Sequence, residues 1–260
     1  MAAVRRAAAA VGGSGMTAPC GAPDGAGTPD GAAVSVLVVD DEELTRAGLR
    51  TLLSARPGIE VVGEAADGAD VVPLAGRLRP DVVLMDVRMP RLDGIEATRR
   101  LRAEVAEPPK VVVITTFEND EYVWDALLAG AAGFIRKRAP STRIAETIRT
   151  VATGDALVFP ETLRRLAVRR PPLAPARRDR PLLGTALTRR EGDTLRLMAE
   201  GLSNQQISRR LTVGVETVKT HVANILAKLH ADNRTHAVVV AYEHGLLHPA
   251  PGTDAEQEAW

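Results

Sequence analysis

Apolar and polar positions follow two regimes along this chain. In the first, short β-branched runs alternate with longer stretches of helical period. Val34–Val39 is an apolar run that breaks off at Asp40-Asp41-Glu42-Glu43. Leu44, Ala47, Leu49, Leu52 and Leu53 then recur at helical spacing until Pro57-Gly58 stops them. The alternation repeats, with strands expected at residues 59–62, 82–85, 111–114 and 133–135. Helices are expected near 67–78, 95–105, 122–129 and 144–151. Apolar strands without period-two alternation are covered on both faces. Five strand–helix pairs therefore predict an α/β doubly wound, five-stranded parallel sheet. Pro73 falls deep inside the second predicted helix, where a kink is expected.

The second regime is purely helical. Thr188-x-x-Glu191 and Ser203-x-x-Gln206 are two capping boxes, each opening a helix. Val213-Gly214 turns the chain into a helix over 215–229 with Val218, Val222, Ile225, Leu226 and Leu229 as its apolar stripe. A last helix over 235–244 is closed by Gly245. Two short helices joined by a tight turn, the second longer and polar on one face, are the helix-turn-helix plan of a small all-α domain.

Around these regimes, residues 1–33 are rich in Gly, Ala and Pro and are expected to be a disordered extension, with Met16 an alternative start. Residues 156–184, rich in Pro and Arg, are expected to be an extended linker, and 249–260 a tail. The first domain then spans 34–155 and the second 185–248.

Composition narrows the class. With 45% apolar residues and only 3% aromatics, the core must rest on Ala, Val, Leu and Ile. The single Cys20 forms no internal disulfide, which fits a reducing, cytoplasmic setting. No apolar run of about 18 residues is present, so no membrane span is expected. The net charge of zero conceals an asymmetry: −4 over 34–155, +5 over 156–184 and +2 over 185–248. An acidic first half and a basic second half point to a cation site followed by a polyanion site.

Candidate chemistry sits at the carboxyl ends of the predicted strands, where open α/β sheets gather their functional groups. Asp40 and Asp41 follow the first strand, Asp86 the third, Thr115 the fourth and Lys137 the fifth. Acids at strand ends often only cap helices. Five such residues at the appropriate strand ends point instead to a shared hard cation, Mg²⁺, and a phosphoryl group held by a hydroxyl and an ammonium. In the second domain, the outward face of 215–229 carries Lys219, Thr220, Asn224 and Lys228, while Ser203 and Asn204 open the preceding helix; all can contact DNA. The histidines, His221 and His236 among them, match no metal-site spacing.

The segments Val38-Val-Asp40-Asp41, Leu84-Met-Asp86-Val-Arg-Met-Pro90, Asp93-Gly94, Ile114-Thr115-Thr116 and Gly133-Phe-Ile-Arg-Lys137 resemble the receiver domain of bacterial response regulators. That resemblance implies Asp86 as phosphoacceptor, Asp41 and Asp86 as direct Mg²⁺ ligands, Asp40 acting through water and the Arg88 carbonyl as a further ligand. It also implies Thr115 and Lys137 on the phosphoryl oxygens and Phe134 as the aromatic that repacks on activation. Arg138 departs from the acidic or small residue common after the lysine. Leu187-Thr-Arg-Arg-Glu191, Gly201-Leu-Ser-Asn204, Thr217-Val-Lys-Thr-His-Val222 and Ile225-Leu-Ala-Lys-Leu229 resemble the LuxR/NarL-type DNA-binding domain. Its pattern makes 215–229 the recognition helix and often uses the last helix for dimerisation. Gly214 and His230 depart from the usual cap residues of that helix. Together the resemblances imply a regulator, not an enzyme, phosphorylated by a sensor histidine kinase and binding double-stranded DNA as a homodimer. Two rival readings are a small-molecule hydrolase on the acidic rim, and a phosphorylation-independent regulator whose receiver serves only dimerisation.

Overall fold

The computed structural model describes residues 33–116, 120–169 and 187–248. The expected extension (save residue 33), linker residues 170–184 and the tail lie outside the described residues. Five strands form one parallel sheet: β1 (Val34–Val39), β2 (Ile59–Ala65), β3 (Val82–Asp86), β4 (Lys110–Thr115) and β5 (Gly133–Arg136). Their order is β2-β1-β3-β4-β5, so successive connections leave β1 in opposite directions, and the switch point lies between β1 and β3.

Although the central strands are mostly apolar, their residues divide by period two between the faces. Val36, Val38, Val82, Leu84, Val112 and Ile114 pack beneath α1 (Glu43–Ser54) and α5 (Ser141–Thr153) through Leu49, Leu53, Ile144 and Ile148. Leu37, Val39, Val83, Met85, Val111 and Val113 face the other way, towards α2 (Val71–Leu78), α3 (Gly94–Glu104) and α4 (Asp120–Leu128).

Two expectations need correction. The second helix begins late: residues 68–70 form a 3₁₀ turn capped by Asp67, and α2 starts only at Val71. Pro73 is therefore its third residue, in the first turn, where an amide has no intrahelical partner to lose. The expected linker is also partly helical. Residues Pro160–Arg169 form α6, which buries Leu163, Leu166 and Ala167. The Pro and Arg content hid this helix, whose apolar face is stabilised by what it packs against.

The second part is all helical, with α7 (Arg189–Ala199), α8 (Asn204–Leu211), α9 (Val215–Leu229) and α10 (Arg234–Glu243). Both capping boxes form, Thr188 with Glu191 and Ser203 with Gln206. Gly214 caps α9 with no side-chain bond, and His230 ends it in the left-handed region at φ 51°. Every residue of α10 from Arg234 to Tyr242 is buried. A surface helix buries one stripe, so burial all round means partners on several sides. α10 packs on α7 and α9 within its own part and on α4 and α6 beyond it. The apolar core accordingly runs without a break from the sheet through Leu163 and Leu166 to Met198, Ile225 and Val239.

Candidate functional site

The site on the sheet is built at the switch point. β1 delivers Asp40, fully buried, and then the exposed Asp41; β3 ends in the buried Asp86. One oxygen from each of the three carboxylates lies within 4.8 Å of the others. Lys137, directly after β5, reaches across with Nζ 2.9 Å from Asp86 Oδ2 and 2.6 Å from Asp40 Oδ2. The contact to Asp40 is close but poorly aligned for a hydrogen bond, so this buried Oδ2 is held by charge alone and keeps an unused lone pair. An orphaned carboxylate oxygen beside two further carboxylates fits a hard, oxygen-seeking divalent cation.

Burial raises the pKa of Asp86, and the neighbouring Asp40 charge adds to this, while Lys137 pulls the other way. Burial alone would lower Lys137, but its close contacts with the Asp40 and Asp86 carboxylates and their charges outweigh it and hold the ammonium above its ordinary value. The cluster is thus a buried carboxylate with one ammonium set against it. Thr115 ends β4 and is buried; its carbonyl accepts the Lys137 amide at 2.9 Å, which fixes where the lysine begins. Arg88 lies exposed in the loop two residues past Asp86. Phe134 lies in β5, half-buried, with its ring centroid 5.3 Å from that of Phe159.

Two residues shape the loop between β3 and α3. A Cβ on Gly94 would stand 2.1 Å from the Asp86 carbonyl oxygen, so only glycine lets α3 start this close to the acid. Asp67 accepts from the amides of Ala69, Arg91 and Leu92 at 2.9 to 3.2 Å. Burial would raise its pKa, yet these backbone bonds and Arg91 lower it overall. The sequence signal for Asp67 was available as an N-cap pattern; its reach to residues 91 and 92 was not.

In the helical part, α9 presents Lys219, Thr220 and Asn224 to solvent. Lys219 pairs with Glu216 at 2.8 Å, and Thr220 bonds back to the Glu216 carbonyl. Ser203 Oγ accepts the Gln206 amide. The other two expected contacts point inward. Asn204 is buried, donating to Asp155 and accepting from Arg234 at 2.9 Å. Lys228 bonds the buried Glu191 carboxylate at 2.7 Å.

Two family models match the chain: the response regulator receiver domain over residues 36–149, and the bacterial regulatory proteins of the luxR family over residues 185–241. The response regulator protein VraR of Staphylococcus epidermidis is 40% identical over 215 residues, covering 83% of this chain and 99% of that protein. The transcriptional regulatory protein LiaR of Bacillus subtilis strain 168 is 39% identical over 214 residues, covering 82% and 99%. The chain belongs to the two-component response regulators. Among solved structures, response regulator ChrA of a heme-sensing two-component system is similar at 34% identity, over 83% of this chain and all of that one, with a TM-score of 0.45.

In this response regulator, a receiver and a LuxR-type DNA-binding domain imply a sensor kinase and DNA as partners. No helix among the described residues is long and apolar enough to cross a membrane. The contacts between the domains went unread in the sequence. Thr235 Oγ1 donates to the Ala132 carbonyl at 2.6 Å, and Asn233 Nδ2 to the Gly130 carbonyl at 2.8 Å. Trp124 Nε1 donates to Glu243 at 3.1 Å, and Arg102 pairs with Asp232. Arg234 donates to the carbonyls of Leu202 and Asp155 as well as to Asn204, and burial pulls its pKa down to about 10.

Proposed function

We propose that a partner histidine kinase phosphorylates Asp86 and that this frees α10 for dimerisation on DNA. The observation that carries the reading is the convergence of Asp40, Asp41, Asp86 and Lys137 on the carboxyl ends of β1, β3 and β5. An Asp86 oxygen attacks the phosphorus of the kinase phosphohistidine; a P–O bond forms as the P–N bond breaks, and the nitrogen leaves on imidazole. Lys137 moves from its carboxylate partners to a phosphoryl oxygen, and the Thr115 hydroxyl donates to another. Asp40, Asp41, Asp86 and the Arg88 carbonyl are the groups to hold Mg²⁺, which supplies positive charge against the transferred phosphoryl group.

The output side follows from what α10 touches. Phe134 rests on Phe159, Phe159 precedes α6, and α6 packs on α10. Movement of Thr115 and Phe134 towards the phosphoryl group withdraws support from α6 and shifts a two-state equilibrium from closed to open. Open molecules pair through α10 and set two α9 helices on half-sites about one helical turn apart. Lys219, Thr220 and Asn224 face the major groove, and Ser203 marks a helix N-terminus for phosphate. The working domains are then residues 34–155 and 185–248, acting in the cytoplasm where the DNA lies.

Intact-mass measurement after incubation with Mg²⁺ and acetyl phosphate tests the first step. A single phosphoryl adduct is expected on the wild type and none on Asp86→Asn. An equal adduct on both proteins would remove Asp86 from the role.

A further inference from the structure

Residues 87–93, between β3 and α3, have neither strand nor helix to hold their backbone, yet they include the Arg88 carbonyl, two residues past Asp86. A main-chain oxygen points where its peptide plane is held, so the fastening of this loop decides where that carbonyl stands. The first half is fastened nearby. The Val87 amide donates to Asp86 Oδ1 at 2.8 Å, and the Gly94 amide donates to the Val87 carbonyl at 2.9 Å. Val87 and Met89 bury their side chains in the core on either side of the exposed Arg88.

The second half is fastened by one side chain from the end of another strand. Asp67 stands two residues past β2 and is 3% exposed. Its Oδ2 accepts the Arg91 amide at 2.9 Å, and its Oδ1 accepts the amides of Leu92 at 3.2 Å and Ala69 at 2.9 Å. A carboxylate that only capped the 3₁₀ turn would need the Ala69 amide alone. The other two bonds reach 24 and 25 residues along the chain, into the loop beside Asp86. The two segments also touch directly, since a Cβ on Gly68 would stand 2.4 Å from the Leu92 carbonyl oxygen. Arg91 closes the corner from outside, with Nη2 2.7 Å from Asp70 and Nε 3.6 Å from Asp67. Asp67 stands outside the cluster of Asp40, Asp41 and Asp86 and spends both oxygens on main-chain amides, so it is a strut and not a further ligand.

We propose that Asp67 is a positioning residue for Mg²⁺: by holding residues 91 and 92 against the end of β2, it fixes the loop that offers the Arg88 carbonyl. The proposal rests on the metal reading given above for Asp40, Asp41, Asp86 and that carbonyl. Groups that orient a ligand without touching the ion set metal affinity by about 10- to 100-fold. Without Asp67, the loop is ordered only when the ion binds, and that ordering is subtracted from the affinity. The loss falls on Mg²⁺ binding and not on the chemistry of Asp86, so saturating Mg²⁺ restores phosphoryl transfer.

The test titrates the full chain with Mg²⁺ by calorimetry, without phosphodonor, and then follows acetyl phosphate labelling over a range of Mg²⁺ concentrations. Asp67→Ala removes every bond of the strut. Asp67→Asn keeps one accepting oxygen and sets an NH₂ where the other stood; it decides the matter if the alanine variant does not fold by far-UV circular dichroism. Ile148→Val thins the core on the opposite face of the sheet and controls for lost stability alone. Mg²⁺ binding should weaken about tenfold in Asp67→Ala and roughly threefold or more in Asp67→Asn, and stay at the wild-type level in Ile148→Val. Labelling of both Asp67 variants should be slow at low Mg²⁺ and reach the wild-type rate at saturation. Wild-type affinity in Asp67→Asn, an equal loss in Ile148→Val, or labelling that stays slow at saturating Mg²⁺ would overturn the proposal. No Mg²⁺ binding by the wild type would instead remove the metal reading, and this proposal with it.

Discussion

Replacing Thr235 by valine removes one interdomain hydrogen bond with almost no change of shape. The Oγ1 donates at 2.6 Å to the Ala132 carbonyl, in a buried contact. Valine fills the same volume, so no cavity opens, but the carbonyl loses a partner that water cannot replace while the domains are closed. Such a loss costs about 1–3 kcal/mol, or roughly a factor of 5 to 150 in the closed-to-open ratio. In the open state the carbonyl meets water, so the penalty falls on the closed state alone. Apparent DNA affinity scales with the open fraction, so the unphosphorylated variant should bind about tenfold more tightly than the unphosphorylated wild type. The gain is capped at whatever phosphorylation itself achieves. Fluorescence anisotropy on a promoter fragment selected with phosphorylated wild type reads both forms. Once phosphorylated, variant and wild type should coincide, because both are open. Unchanged affinity of the unphosphorylated variant, or equal tightening of both forms, would refute the view that this interface restrains output.

Further perturbations address other parts of the molecule. Gly94→Ala places a Cβ 2.1 Å from the Asp86 carbonyl oxygen, so it should destabilise the receiver by about 1–3 kcal/mol in urea melts and slow acetyl phosphate labelling. Lys137→Met removes the ammonium that competes for Asp40 and Asp86, so calorimetry should show Mg²⁺ binding about tenfold more tightly; weaker binding would contradict the competition. Glu191 is buried, which raises its pKa, but its bonds to Lys228 and the Thr188 amide outweigh this and hold it below its ordinary value of 4.5. A depressed folded pKa gives stability that is complete above the unfolded value and lost as pH falls through the folded one. Wild type should therefore lose stability below about pH 4.5, and Glu191→Gln should be weaker at pH 7 with a flatter acid limb; parallel curves from urea melts would refute this.

The α/β alternation was legible because each strand is a short β-branched run and each helix an apolar period, both local signals. The same holds for the two capping boxes, in each of which the partners lie three residues apart in the chain. Asp40, Asp86, Thr115 and Lys137 could be placed on one rim because a parallel sheet brings strand ends together whatever the loops do. What stayed hidden depends on partners far along the chain. α6 owes its place to α10, more than 70 residues later. Asn204 and Lys228 looked solvent-facing until Asp155, Arg234 and Glu191 took them inward, at separations of 49, 30 and 37 residues. Pro73 misled for a local reason: Asp67 caps a 3₁₀ turn, and the helix start moves past it.

The central claim joins Asp86 to DNA binding through the closed interface. Anisotropy titrations of wild type and Asp86→Asn on the selected fragment, each with and without acetyl phosphate and Mg²⁺, test it most directly. The account predicts that phosphodonor tightens binding by the wild type and leaves Asp86→Asn at the unphosphorylated level. Identical affinities for both proteins under both conditions would contradict it.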